Sequence, residues 1–145
     1  MADLKFRVRA HSENATKTIV KARGFEMIID EPSDLGGTNE GANPVEYELA
    51  AFSGCINVMG HIIAKEMEMD LKSMSIDISG LLNPDKLFGT STEERAGYKQ
   101  INVKIKADST ASSEELEKWK QAICERCPVS DNLKNTTPVF VEIKK

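Results

Sequence analysis

The sequence predicts a single α+β domain over residues 1–145, with the element order βββ-α-ββ-α-β. Apolar and polar residues alternate with period two in several runs, a pattern typical of half-buried strands. Two helix-capping sequences are each followed by apolar residues at helical spacing. Because the strands come in groups with only two helices among them, antiparallel sheets are favoured over a parallel α/β arrangement.

The first thirty residues predict a meander of three antiparallel strands. Residues 4–11 alternate apolar and basic side chains, and the Ser-Glu-Asn sequence at 12–14 predicts a turn. A β-branched run over 16–22 and a short apolar run over 25–29 follow. Residues 31–41, which contain Pro, Asp, Asn and three Gly, have the composition of a loop.

A long helix is predicted to start after Asn43. Asn43 is a suitable N-cap, Pro44 suits the first helical position, and Glu46 completes a capping box. The apolar stripe that follows consists of Leu49, Phe52, Cys55, Met59, Ile62 and Ile63. Ser53-Gly54 is a weak point, at which we expect the helix to bend or restart. A restart would place Cys55 in a first turn, where free N–H groups favour a thiolate.

The second half of the chain predicts three further strands. Two of them cover residues 71–82 and 101–107, and the polar segment 83–96 between them has the composition of a loop or flap. Alternating apolar residues over 139–143 predict a last strand.

The second predicted helix leads into the sequence CERCPVSDNL, which carries two of the three cysteines. The helix opens with a capping box at 112–115 and ends at Pro128. Its inner stripe consists of Leu116, Trp119, Ile123 and Cys127. Cys124 lies about 60° away from Cys127 round the helix axis, toward the edge of that stripe.

Composition and charge exclude several function classes. The net charge is −4 and basic residues occur singly, which argues against a nucleic-acid partner. The N-terminus lacks the apolar region of a signal peptide, and the longest apolar zone, 50–64, is too short and too polar to span a membrane. We therefore expect a cytoplasmic protein whose three cysteines are reduced thiols.

The C-x-x-C pair of Cys124 and Cys127 allows several interpretations. A zinc site needs four ligands, and no second C-x-x-C or paired His exists, so we expect no metal and no cofactor. A thioredoxin-like pair opens a helix, whereas this pair closes one. Two interpretations stay open. The cysteines are inert core residues, or Cys55 meets Cys127 when the helices pack and the pair reacts with a peroxide through a sulfenic acid.

Two segments resemble the OsmC/Ohr family of osmotically inducible and organic-hydroperoxide-resistance proteins. NPVEYELAAFSGC, residues 43–55, resembles the helix that carries the family's peroxidatic cysteine. CPVSDNL, residues 127–133, resembles its second-cysteine motif. The approach GGTNEGANP and the element order also match, so the resemblance covers nearly the whole chain.

The resemblance implies a fold in which antiparallel sheets wrap around two main helices in an intertwined homodimer. It also implies a thiol-dependent peroxidase that reduces organic hydroperoxides, in which Cys55 attacks and Cys127 resolves, forming a disulfide. A dithiol, lipoyl-type or another thiol, would then reduce that bond. Cys124 matches nothing in the family pattern and is interpreted as a bystander.

The sequence departs from the family pattern at two points. Val45 follows Asn-Pro directly, where the organic-hydroperoxide branch has Glu. Glu46 comes next and has two possible roles, as the catalytic carboxylate and as the capping-box residue. No Arg is anchored by a motif, and Arg23 is only a candidate for the family's activating Arg. The missing Arg favours an alternative function, an OsmC-fold protein that binds a small apolar or acyl ligand with little or no peroxidase turnover.

Overall fold

Three short strands form an antiparallel meander near the start of the chain, as predicted. The computed structural model describes all 145 residues. The strands are β1 Arg9–Ser12, β2 Thr18–Ala22 and β3 Phe25–Ile29, in the sheet order β1-β2-β3. Ile19 and Val20 of the central strand are buried. β1 is shorter than predicted because residues 4–8 have no strand neighbour in the chain, and their apolar side chains are exposed.

The carboxylate of the fully buried Asp30 organises the loop that follows β3. It accepts hydrogen bonds from the backbone N–H groups of Glu31, Thr38 and Glu40 and from the Thr38 hydroxyl, over 2.5–3.2 Å. The Thr38 hydroxyl contributes most to holding the pKa of Asp30 far below its usual range. A Cβ at Gly37 would lie 1.8 Å from the Glu31 carbonyl oxygen, so only glycine fits this turn of the loop.

Helix α1 (Pro44–Glu66) begins with the predicted capping box. The backbone N–H of Asn43 donates to the Glu46 carboxylate over 2.8 Å, and the Glu46 N–H donates to the Asn43 side-chain oxygen over 2.9 Å. The capping interpretation of Glu46 is therefore confirmed.

The predicted restart at Ser53-Gly54 is wrong, because α1 runs without interruption through these residues. One glycine inside a helix costs about 1 kcal/mol relative to alanine. Burial of Ile56 and Ile63 in the following turns outweighs that cost, since one buried Ile contributes about 1.5–3 kcal/mol. Cys55 consequently lies in the middle of a helix rather than in a first turn.

The chain divides into two compact units, Met1–Ala50 and Ala51–Lys145, and the larger hydrophobic core lies in the second. Strands β4 (Ser73–Leu81) and β5 (Gln100–Asp108) form an antiparallel pair there, and the segment between them is a loop, as predicted. The core cluster consists of Ile56, Ile63, Ala64, Trp119 and Ile123. Confinement to a single domain stays a prediction.

Two helices follow β5: α2 (Ser113–Arg126) and α3 (Pro128–Lys134). The capping box of α2 forms as predicted, but α3 is not predicted by the sequence pattern. The strand predicted over 139–143 does not form, and these residues are exposed. A strand needs a neighbour for its backbone N–H and C=O groups, and the chain supplies none to this segment. The α+β class with antiparallel sheets is confirmed, with the order βββ-α-ββ-α-α.

Candidate functional site

Two free cysteine thiols meet in the second unit. Cys55 lies in α1, and Cys127 is the single residue that joins α2 to α3. Their Sγ atoms are 2.7 Å apart, and the Cys127 S–H donates to the Cys55 Sγ. A disulfide has an S–S length of about 2.05 Å, so a small approach would allow a bond. The structure thus brings together two of the three residues predicted for the site.

Two contacts hold α2 against α1 near this pair. The buried indole N–H of Trp119 donates to the carbonyl oxygen of Gly60 over 2.8 Å. Glycine permits this approach, because a Cβ at residue 60 would lie 2.9 Å from a β4 side chain and 3.2 Å from the Trp119 ring. The Arg126 guanidinium makes two hydrogen bonds to the Glu66 carboxylate, one of them 3.0 Å long. Because Arg126 directly precedes Cys127, the Arg126–Glu66 contact holds the end of α2 from which Cys127 follows.

Cys127 is the buried member of the pair, with a relative exposure of 1%. Burial raises the pKa of its thiol, and the hydrogen bond to Cys55 raises that pKa further. The backbone N–H of Ser130, which donates to the Cys127 Sγ over 3.3 Å, acts in the opposite direction. A thiol whose pKa is raised stays protonated at neutral pH, in agreement with its role as the hydrogen-bond donor.

Cys55 is the more accessible member of the pair. It is half-buried, and its sulfur accepts the hydrogen bond from Cys127. Cys55 is therefore the sulfur of the pair that is more exposed to a reagent in solution. Once Cys55 has reacted, Cys127 is the thiol in direct contact with it.

A cavity of about 380 Å³ adjoins Cys127. Its apolar walls include Ile56, Val103, Ile105, Leu116, Trp119 and Ile123. Its polar lining includes Cys124, Cys127 and Ser130, and the ion pair of Glu117 with Lys120 also borders it. Cys55 does not line it, so the cavity meets the pair from the side of Cys127. The volume and the apolar walls suit a small apolar ligand.

The third cysteine of the chain stands outside the sulfur pair. Cys124 lies on α2, one turn before Cys127, and is exposed. The thiol of Cys127 makes its hydrogen bond to Cys55 and not to Cys124, so the C-x-x-C sequence does not mark the pair that meets.

Glu46 and Arg23 lie in the first unit. Glu46 is exposed and occupies the capping box, and its role as a catalytic carboxylate stays a prediction. Arg23 lies in the turn between β2 and β3 with φ of 57°. Its guanidinium covers the ring of Phe25 at 5.1 Å from the centroid.

Sequence reasoning missed Ser130. The residue is 1% exposed and lines the cavity, its N–H bonds the Cys127 sulfur, and its buried hydroxyl has no hydrogen-bond partner. The available signal was Pro128, because Pro favours the first position of a helix as well as ending one. That interpretation makes Cys127 a cap residue and places Ser130 within reach of its sulfur.

No group of three or more His, Cys, Asp or Glu side chains is arranged to hold a metal ion. None of the helices combines the length and the apolar character that crossing a membrane requires.

Comparison with known proteins gives one consistent result. The family model of OsmC-like proteins matches residues 37–142. No curated protein matches the sequence. Many solved structures match the fold, and three of them illustrate the range of relatives.

An OsmC-like protein from Mycoplasma pneumoniae has a TM-score of 0.80 at 18% identity, covering 92% of this chain and 89% of its own. An organic hydroperoxide resistance protein OsmC from Legionella pneumophila, described as a predicted redox protein, has a TM-score of 0.67 at 20% identity, covering 92% of both chains. An organic hydroperoxide resistance protein from Elizabethkingia anophelis has a TM-score of 0.68 at 18% identity, and the match covers 92% of this chain and 90% of that protein. At these identities the structures show a shared fold.

Proposed function

Because the chain belongs to the OsmC-like protein family, we propose that it is a thiol-dependent peroxidase that reduces organic hydroperoxides. The contact between the Cys55 and Cys127 sulfurs is the observation that carries the proposal. A peroxidase of this type needs one thiol that meets the oxidant and a second that traps the product, and the half-buried and buried sulfurs supply both.

In the first step, the thiolate of Cys55 attacks the terminal oxygen of the hydroperoxide. The O–O bond breaks, the second oxygen leaves as an alcohol after taking a proton, and Cys55 becomes a sulfenic acid. The sulfur is oxidised by two electrons and the peroxide is reduced by two. Cys55 is assigned this step because it is the more accessible sulfur of the pair.

In the second step, the Cys127 sulfur attacks the sulfenic sulfur of Cys55. An S–S bond forms, the S–O bond breaks, and the oxygen leaves as water with the proton of the Cys127 thiol. A dithiol reductant then attacks the disulfide and restores both thiols, becoming oxidised itself. This cycle suits the reducing conditions of the cytoplasm and routes no step through a cofactor.

The proposal is tested by three single substitutions with the same chemical change. Cys55→Ser is expected to abolish consumption of cumene hydroperoxide. Cys127→Ser is expected to leave one turnover and to trap the Cys55 sulfenic acid. Cys124→Ser is the matched control and is expected to keep nearly full turnover. Equal loss from Cys55→Ser and Cys124→Ser would overturn the assignment of the attacking thiol.

A homodimer belongs to the same proposal, since the resemblance to the OsmC/Ohr family implies one. Near the N-terminus, Leu4, Phe6 and Val8 are 61–88% exposed, and near the C-terminus residues 139–143 expose apolar side chains without a strand neighbour. A second copy of the chain would supply partners for both segments. Sedimentation equilibrium is expected to give twice the chain mass of 16.0 kDa, and a monomer at micromolar concentration would contradict it.

A second function, binding of a small apolar or acyl ligand without fast turnover, is favoured by the cavity beside Cys127. A medium-chain fatty acid serves as the probe in titration calorimetry. Tight binding by a protein that consumes no hydroperoxide would favour this alternative. Leu116→Trp, which fills the cavity, should then abolish the binding heat.

A further inference from the structure

The buried hydroxyl of Ser130 has no function in the steps above, although the backbone N–H of the same residue donates to the Cys127 sulfur. Its Oγ is buried and has no hydrogen-bond partner. Leaving a buried hydroxyl unpaired costs about 1–3 kcal/mol, so an unpaired group in a folded protein needs an explanation. The residue lines the same cavity as Cys127, and its own backbone N–H already contacts the Cys127 Sγ over 3.3 Å.

We infer that the Ser130 hydroxyl carries the proton from the Cys127 thiol to the oxygen that leaves Cys55 when the disulfide forms. The inference rests on the proposed function, because the leaving oxygen exists only after Cys55 has been oxidised. In the reduced protein no such oxygen is present, and the hydroxyl has no partner. The unpaired state of Ser130 is therefore the one expected before reaction with peroxide.

The chemistry of this step explains why a relay is useful. Cys127 is a protonated, buried thiol, whereas the attacking species in disulfide formation is a thiolate. The leaving oxygen needs a proton to depart as water. A hydroxyl both accepts and donates a hydrogen bond, so Ser130 can take the thiol proton and give its own proton to the oxygen.

The step balances without any further reagent. The Cys127 sulfur uses an electron pair to form the S–S bond, and the S–O bond of the sulfenic acid breaks with its pair on oxygen. One proton moves from the Cys127 sulfur to the Ser130 Oγ, and one moves from that Oγ to the oxygen. The products are the Cys55–Cys127 disulfide, one water molecule and an unchanged serine.

The test separates the two steps in time. Each protein receives one equivalent of cumene hydroperoxide in a rapid-quench experiment, with dimedone to trap sulfenic acid, and peptides are quantified by mass spectrometry. In Ser130→Ala we expect Cys55 sulfenic acid to form at the wild-type rate and the disulfide to form about 10²-fold more slowly, the lower range for proton transfer by a positioned group. Ser130→Thr keeps the hydroxyl and should restore most of the rate. Ser75→Ala removes an exposed hydroxyl on β4, outside the cavity, and should change neither step.

Two readouts distinguish a proton relay from a structural role. Without the hydroxyl, formation of the disulfide should become proportional to the Cys127 thiolate, so its rate in Ser130→Ala should rise about tenfold per pH unit below the thiol pKa. In the wild type, the solvent deuterium isotope effect on the rate of disulfide formation should fit the transfer of two protons rather than one. A wild-type rate of disulfide formation in Ser130→Ala, or a one-proton isotope effect in the wild type, would overturn the inference. Failure of wild-type Cys55 to form a sulfenic acid would instead overturn the proposed function and the relay with it.

Discussion

The buried hydrogen bond between Trp119 and Gly60 should be a main determinant of both stability and thiol placement. Trp119→Phe keeps an aromatic ring in the core but removes the indole N–H, which donates over 2.8 Å. Loss of a hydrogen bond of this kind costs about 0.5–1.5 kcal/mol. Because Trp119 is only 3% exposed, the smaller ring also leaves a void. Removal of a whole Phe or Trp side chain costs about 3–5 kcal/mol, and a partial removal costs a fraction of that.

Together these contributions predict that Trp119→Phe lowers the free energy of unfolding by about 1.5–3 kcal/mol. With a urea m-value of about 2 kcal/mol/M, the unfolding midpoint should fall by about 1 M. The chain has one Trp, so unfolding is followed by far-ultraviolet circular dichroism rather than by fluorescence. Protein concentration is held constant, since a dimer unfolds in a concentration-dependent way.

A matched control lies one turn along the same helix. Ile123 is 1% exposed in the same core, and Ile123→Val removes one methylene group without removing a hydrogen bond, at a cost of about 0.5–1.5 kcal/mol. The Trp119 variant should be the less stable of the two and should form the Cys55–Cys127 disulfide more slowly. A urea midpoint of Trp119→Phe within about 0.2 M of the wild-type midpoint would refute the claim that this hydrogen bond is a main determinant of stability.

Three further predictions test other parts of the structure. Glu46→Gln should keep both stability and turnover, because Gln also completes a capping box with Asn43; a loss of turnover at unchanged stability would show that the carboxylate is catalytic. Asp30→Asn should lower the urea midpoint at pH 7, and the difference from the wild type should shrink progressively as the pH falls from about 3.9 toward the much lower folded pKa. The reason is that the contribution of a carboxylate whose folded pKa is lowered is full above its ordinary pKa of about 3.9 and is lost as the pH falls through the folded value. A midpoint difference that does not vary with pH would contradict this cause. Gly54→Ala and Gly60→Ala should change stability, measured by urea unfolding, in opposite directions. A Cβ at Gly54 meets nothing within 4 Å, so Gly54→Ala should stabilise the helix by about 0.5–1 kcal/mol. A Cβ at Gly60 meets side chains at 2.9 and 3.2 Å, so Gly60→Ala should destabilise the protein. Stabilisation by both would show that the core yields at Gly60.

Local patterns in the sequence were sufficient for most of the fold. The meander, both capping boxes and the strands β4 and β5 follow from patterns within short stretches of the chain, and each is confirmed. The restart at Ser53-Gly54 is wrong because packing of later turns decides the continuity of a helix, and glycine propensity does not include it. The strand predicted at 139–143 is absent. Alternation of apolar and polar residues indicates which side chains a strand would bury, but the strand forms only where a neighbouring strand accepts and donates its backbone hydrogen bonds.

The site was only partly accessible to sequence reasoning. The apolar stripes placed Cys55 and Cys127 on faces that would meet if the helices packed, and the structure brings their sulfurs into contact. The unpaired hydroxyl of Ser130 was not predictable, because whether a buried polar atom has a partner depends on the positions of all its neighbours. Pro128, which both ends α2 and begins α3, concealed the helix that carries it.

The most direct test of the central claim is a disulfide map of the protein after one equivalent of an organic hydroperoxide, without added dithiol. Thiols are alkylated at the end of the reaction, and the peptides are identified by mass spectrometry. We expect one cross-linked species that joins the Cys55 and Cys127 peptides, with Cys124 alkylated. A cross-link that includes Cys124, or three alkylated cysteines after the peroxide has been exposed to the protein, would contradict it.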